Sequence, residues 1–519
     1  MGRVLTNNVG LSYTIETALG VAGTSWFLLE PNAINTFGAT ISTVARNPIS
    51  PDRQRRKGTV ADLDSAIEFE HDLTLSAFRD FIEGFVFSTG TNSDATHSVT
   101  NVDGTNDEYD VSALTAAAAS KLEFSTGEYA SLIYARGFST AGNNGLKQVD
   151  VDVATAATEI GVSTSVADET PPADAQVELA GFRFLDGATD VTVAYSGTTL
   201  TITVGAGIVG FDWTSFGFLT VGQMIHVGSA DASGNVQNAL QDSVANDTYG
   251  YARITAISAT VLTCDKVDST LQVAGPTSPA TLDLMFGNFI RNVATTSSEY
   301  LERSFQFEGS FPNLDDPNDE YQYALGNYCN TVSFELPLTD KAGVSFGFIG
   351  TDTEDPVVAG SRKTGADSAE NPNATDAYNT TADIARLRIQ DTDETGLSTY
   401  FKSLTLTINN NVSPEKVLGT LGAAFMNTGN FDVDLTAQLI FTEGLVIDRI
   451  RANTTVSMDF VINNDDGAIA VDIPSMTMGD GSREFPVNES VLINVACQAF
   501  KDETLDTSLG ISIFPSVPS

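Results

Sequence analysis

Residue types able to carry catalysis or hold a metal are scarce in this chain. Three histidines (His71, His97, His226) and three cysteines (Cys264, Cys329, Cys497) lie far apart in 519 residues, without zinc spacing or a disulfide framework. No serine or cysteine nucleophile motif accompanies them, so acyl transfer and metallohydrolase chemistry lack their residues. Gly205, Gly207 and Gly210 form a GxGxxG after a strand pattern at 198–204. FDWTSFGF then stands where a helix would have to open onto a pyrophosphate, so the dinucleotide reading fails. Asp391, Asp393 and Gly396 are spaced like a calcium loop, but Lys402 holds the position of the bidentate glutamate. A glycosidase needs only two carboxylates, and 67 acidic residues offer many pairs that spacing does not rank. The expectation is a chain that is no enzyme and uses no metal or cofactor.

The distinctive cluster is cationic. Arg46, Arg53, Arg55, Arg56 and Lys57 fall within twelve positions of a protein with a formal net charge of −41. Residues 1–57 hold 6 basic and 3 acidic residues, whereas 58–519 hold 20 and 64. An acidic body with one positive arm attracts copies of itself, because the arm finds a complementary field on the next molecule. Pro48 and Pro51 exclude a helix there, and strand patterns at 41–44 and 59–63 flank the run. A long hairpin or extended loop with its cations at the tip is expected, making inter-copy contacts through Arg46, Arg53, Arg55, Arg56 and Lys57.

Composition sets the frame for that arm. A hydrophobic content of 42% is ample for two to four domains with cores. Thr, Ser, Asn, Asp, Val and Gly dominate, which favours sheets and turns over helices. The start, MGRVLTNNVG, has no signal-peptide core and no 18-residue apolar run occurs, so a soluble protein made in the cytoplasm is expected. Met1, Gly2 and Thr6 fit the short myristoylation pattern, which is too common to carry weight. The negative charge opposes nucleic-acid binding, since a phosphate backbone needs clustered cations. It suits a wall past which DNA moves without sticking.

Period-two alternation marks 66–75 as a half-buried strand, with Ile67, Phe69, Leu73 and Leu75 on one face and Glu68, Glu70, Asp72 and Thr74 on the other. His71 falls in the apolar register as a core histidine. Ser76 is placed to cap a helix carrying Phe78, Phe81, Ile82 and Phe85 at helical spacing. The polar stretch 92–110 reads as a linker into an inserted region. There FSTGEYASLIYARGF, from Phe124, resembles FLTVGQMIHVGSA, from Phe218, and TPPADA at 170–175 is a natural joint. Two inserted β-domains are therefore expected, 91–180 and 181–287, between residues 1–90 and 288–519. Strand patterns resume at 403–408, 433–439, 455–462 and 491–499, and Cys497 alternates with Val491, Ile493 and Val495 as a small core residue. Residues 351–383, with Glu354, Asp355, Asp367, Glu370, Asp376 and Asp383, read as a long exposed loop.

Three stretches resemble the major tail tube proteins of long-tailed, siphovirus-type bacteriophages: RVLTNNVGLSYTIETALG, LLEPNAINTFGATISTVARNPISPDRQRRKGTVADLDSAIEFEHDLT and NNNVSPEKVLGTLGAAFMNTGNFDVDLTAQLIF. The resemblance covers roughly residues 1–90 and 288–519. It implies a mainly β fold, a sandwich or barrel-like tube domain with a flanking helix, interrupted here by the insertion. It further implies homohexameric rings stacked into a virion tail, with an acidic lumen for DNA passage during ejection. The partners would be the chain itself and other tail proteins such as tape measure and terminator, with assembly in the host cytoplasm and no membrane contact. It places residues 46–57 where such proteins carry a loop to the neighbouring ring. The rival expectation is a surface adhesin or carbohydrate-binding β-protein, with Phe211, Trp213 and Phe216 as a sugar platform in place of core.

Overall fold

The structure, a computed structural model, describes residues 4–47, 49, 51, 53–172, 175–185, 190–230, 236–237, 249–272, 275–276, 281–312, 319–370, 375–391, 396–398, 400–442 and 444–515. It is mainly β, in antiparallel sheets, with 52% strand against 10% helix. The chain divides into two compact units.

In the first unit, residues 1–87, 300–380 and 402–438, alternating side chains produce a sheet with one buried face. Strand Arg56–Asp72 pairs antiparallel with Ala33–Arg46 on one edge and Gly343–Gly350 on the other. Glu320–Leu336 then pairs with Gly343–Gly350 and with Phe401–Asn409, and Asp432–Ile440 joins beyond it. Phe69 stands opposite Phe346, Ile67 opposite Phe348, and Val332 opposite Phe346 and Ile408. All six are at most 2% exposed. Since successive side chains point to opposite faces, the same register turns Asp64, Glu68 and Glu70 outward.

The helix Leu75–Val86 lies over the apolar face. Its cap is Thr74 and not Ser76: the Thr74 hydroxyl accepts from the Ala77 amide at 3.3 Å, while Ser76 meets the Thr375 hydroxyl at 2.9 Å. The strand ends at Asp72, three residues before the expected end at Leu75. Phe81 sits 5.2 Å from Phe346, 6.0 Å from Phe69 and 4.6 Å from Tyr13, ring centre to ring centre. Tyr13 belongs to Gly10–Ile15, which pairs with Ser304–Phe311, so Phe81 packs against both that strand pair and the strands carrying Phe69 and Phe346. Gly84 permits this closeness, because a Cβ there would meet Cys329 Sγ at 2.8 Å and Phe305 at 2.9 Å. His71, expected in the core, is only half-buried, with Nδ1 2.6 Å from the Asp72 carbonyl.

The stretch expected as an exposed loop is instead fastened down over much of 351–380. Arg362 Nη2 donates to Glu308 Oε1 at 2.6 Å, and the Tyr323 hydroxyl donates to Glu308 Oε2 at 2.5 Å. Ala366 and Tyr378 are fully buried. Sparse aromatic and alanine anchors among acidic residues hid this packing from a reading based on periodicity.

The second unit comprises residues 88–299, 381–401 and 439–519. The expected linker at 92–110 is a hairpin, Thr96–Asp103 with Glu108–Val111, burying Val99, Val102, Tyr109 and Val111. A register shift between Val99 and Asn101 breaks the period-two pattern that would have revealed it. Gln176–Phe184 pairs with Thr96–Asp103, Tyr129–Arg136 and Leu282–Met285. The last pairs with Met224–Ala230. One sheet and one cluster of buried residues from Ala95 to Phe286 therefore run through the 180/181 position. Both resembling segments contribute strands to that sheet, while most of the Asn/Gly-rich stretch 232–238 lies outside the described residues. Ile384–Asp391 pairs with Val456–Asn464, that strand with Gly467–Glu484, and the last with Leu492–Ala499, with Cys497 buried as expected.

Two measurements test this packing. Phe81→Ala removes the ring that touches Tyr13, Phe69, Phe305, Phe307 and Phe346 and should cost about 3–5 kcal/mol in denaturant unfolding; a loss under about 1 kcal/mol would contradict the central role. His226 is fully enclosed and its Nδ1 has no partner among the described residues. Burial lowers its pKa from 6.5 to about 4. The unfolded chain then binds a proton that the folded one refuses, so stability falls as pH drops from about 6.5 towards 4, at about 1.4 kcal/mol per pKa unit. His226→Gln should flatten that part of the pH–stability curve.

Candidate assembly surfaces

The cationic run lies on a two-stranded arm. Ala33–Arg46 and Arg56–Asp72 pair as far as Arg46 opposite Arg56, so the expected strands on both sides of the run are present. Pro48, Ser50 and Asp52 lie outside the described residues; of the others from Thr40 to Ala61, only Gly58 is not exposed. Among the described residues, no ion pair engages Arg46, Arg53, Arg55 or Lys57. Arginines directly opposite each other repel, and a lone two-stranded ribbon is marginal in water.

The root of the arm carries a file of carboxylates: Asp62, Asp64, Glu68, Glu70 and Asp72 along one face of Arg56–Asp72. Small or polar residues lie opposite them: Ser42, Thr40 and Thr36 on one side, Gly347, Ser345 and Gly343 on the other. Exposed Asp432 and Asp434 extend the anionic character to Asp432–Ile440. Asn35 donates to Glu70 at 2.8 Å and Asn32 to Asp72 at 2.5 Å. Lys416 Nζ bridges Asp62 and Asp64 at 2.5 and 2.6 Å and draws the Asp62 pKa below its ordinary value. Partial burial would raise that of Asp72, but hydrogen bonds from Lys341 and Asn32 outweigh it and hold the carboxyl low. Asp62 and Asp72 therefore stay ionised near neutrality. Sequence alternation showed Glu68, Glu70 and Asp72; Lys416, some 350 positions away, gave no local signal.

The other candidates resolve into core or surface. Phe211, Trp213 and Phe216 are at most 7% exposed and pack with Phe182, Phe184 and Phe218, so they offer no sugar platform. After Gly205–Gly210 the chain makes a single-turn helix, Trp213–Phe216, capped by Asp212. All three cysteines are free and buried, and burial pushes the Cys497 thiol up to about 12, away from reactivity. Asp393 lies outside the described residues. Glu108, Asp110 and Glu159 approach one another at the surface, where acidic groups commonly gather without a metal. Among the described residues no helix is long and apolar enough to cross a membrane.

The cations of 91–287 are turned inward. This segment has six basic and 23 acidic residues, and each basic one is engaged within the second unit. Lys121 pairs with Asp94, Arg136 with Glu178, Arg183 with Asp283, and Lys147 donates to the Gly142 carbonyl. Arg253 grips Asp265 and Asp472, and Lys266 reaches Ser457 and Asp459. Arg386 joins Asp459 and Asp268, while Arg388 also binds Asp459. Four cations and four carboxylates thus balance in a largely buried network linking Gly250–Asp268 to Ile384–Asp391 and the strands from Val456. Burial raises the pKa of Asp472 despite the neighbouring Arg253 and Lys266. Asp459→Asn strips three cations of a shared partner and should cost roughly 3–5 kcal/mol in unfolding measurements; a near-neutral change would mean that water or rearrangement compensates.

No curated protein matches the chain. Residues 262–499, a little under half of the chain, match the family model described as phage tail tube protein. That match supports a structural protein of the phage tail tube, located in the virion tail.

Proposed function

We propose that this chain is the major tail tube subunit of a long-tailed phage. Six copies close into a ring, and rings stack into a hollow tube through which DNA leaves during ejection. Residues 1–90 and 288–519 provide the tube subunit, and 91–287 an insertion. The carrying observation is the two-faced sheet of the first unit: one face is sealed by the helix Leu75–Val86, and the other presents carboxylates among Ser, Thr and Gly. A conduit for a polyanion needs such a wall, smooth and repulsive, and six copies carry about −250 formal charges. The arm reaches the neighbouring ring, where Arg46, Arg53, Arg55, Arg56 and Lys57 meet carboxylates. Tape measure and terminator proteins would complete the tail, which assembles in the host cytoplasm.

Negative-stain microscopy of the purified full chain should show rings or tubes with an axial channel; strict monomers at every salt concentration would refute the reading. Replacing Arg53, Arg55, Arg56 and Lys57 with glutamine should shorten tubes while rings persist, because fewer charge-assisted contacts hold the stack. Tubes of unchanged length would remove the role given to the arm.

A further inference from the structure

Between Phe401–Asn409 and Asp432–Ile440 the chain leaves the sheet and forms a small hairpin, Ser413–Glu415 with Phe425–Asn427. This excursion is built in place. The Val412 amide donates to Asn330 Oδ1 at 2.9 Å, the Ala423 amide to the Thr351 carbonyl at 3.0 Å, and Lys416 holds Asp62 and Asp64 at the arm's root. Its polarity is inverted: polar groups bind its own unit, whereas Val417, Leu418, Leu421 and Phe425 face solvent. Leu418 is fully exposed and Phe425 is 62% exposed. Exposed Glu415 stands opposite Phe425 in the hairpin, and exposed Asp432 and Asp434 follow soon after it along the chain. Large apolar side chains gathered on a fixed support and rimmed by charge mark an interaction site.

The arm has the matching composition. Ile49 is fully exposed and Val44 61% exposed, among Arg46, Arg53, Arg55 and Lys57. Apolar meets apolar, and cations meet the anionic rim. Ile49 and Leu418 are both bare in one and the same copy, so neither covers the other there. We propose that the 413–427 hairpin is the receptor for the arm of a second copy of this chain. Each copy carries both halves of the contact, which is therefore head-to-tail and propagates from copy to copy. The inference rests on the self-assembling tube reading and names the surface that the arm engages.

The test mixes two full-length chains, Ile49→Cys and Leu418→Cys, and treats the assembled material with a short bis-maleimide. The three native cysteines are buried, so background is low. The expected result is a cross-linked dimer several-fold more abundant in the mixture than with either chain alone. Tubes visible by microscopy without that dimer would overturn the pairing while leaving the tube reading intact; a wild-type chain that never assembles would sink the tube reading itself. As a second variant, Leu418→Ser combined with Phe425→Ser should abolish stacking with an unchanged unfolding midpoint, since both side chains are exposed. Full-length tubes from that variant would overturn the proposal.

Discussion

Period-two alternation along Arg56–Asp72 imposes the central constraint on this protein. One strand must satisfy an aromatic core through Ile67 and Phe69 and face water through Asp64, Glu68 and Glu70. Slipping the register by one residue would bury carboxylates against Phe81 and expose phenylalanines, so the apolar stripe and the anionic face are one decision. The in-register neighbours repeat that choice: Val344, Phe346 and Phe348 point inward, while Gly343, Ser345 and Gly347 point outward. Small outward residues leave the surface smooth as well as negative.

The same chain segregates its few cations. Those of 91–287 are consumed in ion pairs and hydrogen bonds inside the second unit, where desolvated carboxylates would otherwise be costly. Arg362 and Arg303 similarly serve Glu308 and Glu83 in the first unit. Among the described residues, Arg46, Arg53, Arg55 and Lys57 are instead exposed and in no ion pair, on the two-stranded ribbon. Five cations within twelve positions make this segment the positive end of an otherwise acidic chain.

Local regularity was legible wherever a pattern persisted for several residues. The strand before the helix, the helix phenylalanines and the late strands from 403 to 499 followed from periods of two and 3.6, and the arm strands from the stretches flanking a proline-stiffened run. Misreadings arose where the pattern was interrupted. The bulge at Val99–Asn101 disguised a hairpin as a linker, and scattered anchors such as Ala366 and Tyr378 disguised a fastened segment as a free loop. The helix cap moved from Ser76 to Thr74 because only the backbone shows where extended geometry ends.

By itself the sequence determined the β class, the charge asymmetry, the arm with its cations and the two faces of the strand at its root, since each depends on neighbours along the chain. Tertiary structure alone decided which distant groups meet: Lys416 with Asp62 and Asp64, Arg253 with Asp472, and Trp213 with a buried aromatic cluster instead of solvent. Those pairings join residues up to hundreds of positions apart. Coulombic and packing energies fall off over a few ångströms in space, and separation along the chain carries no record of that distance.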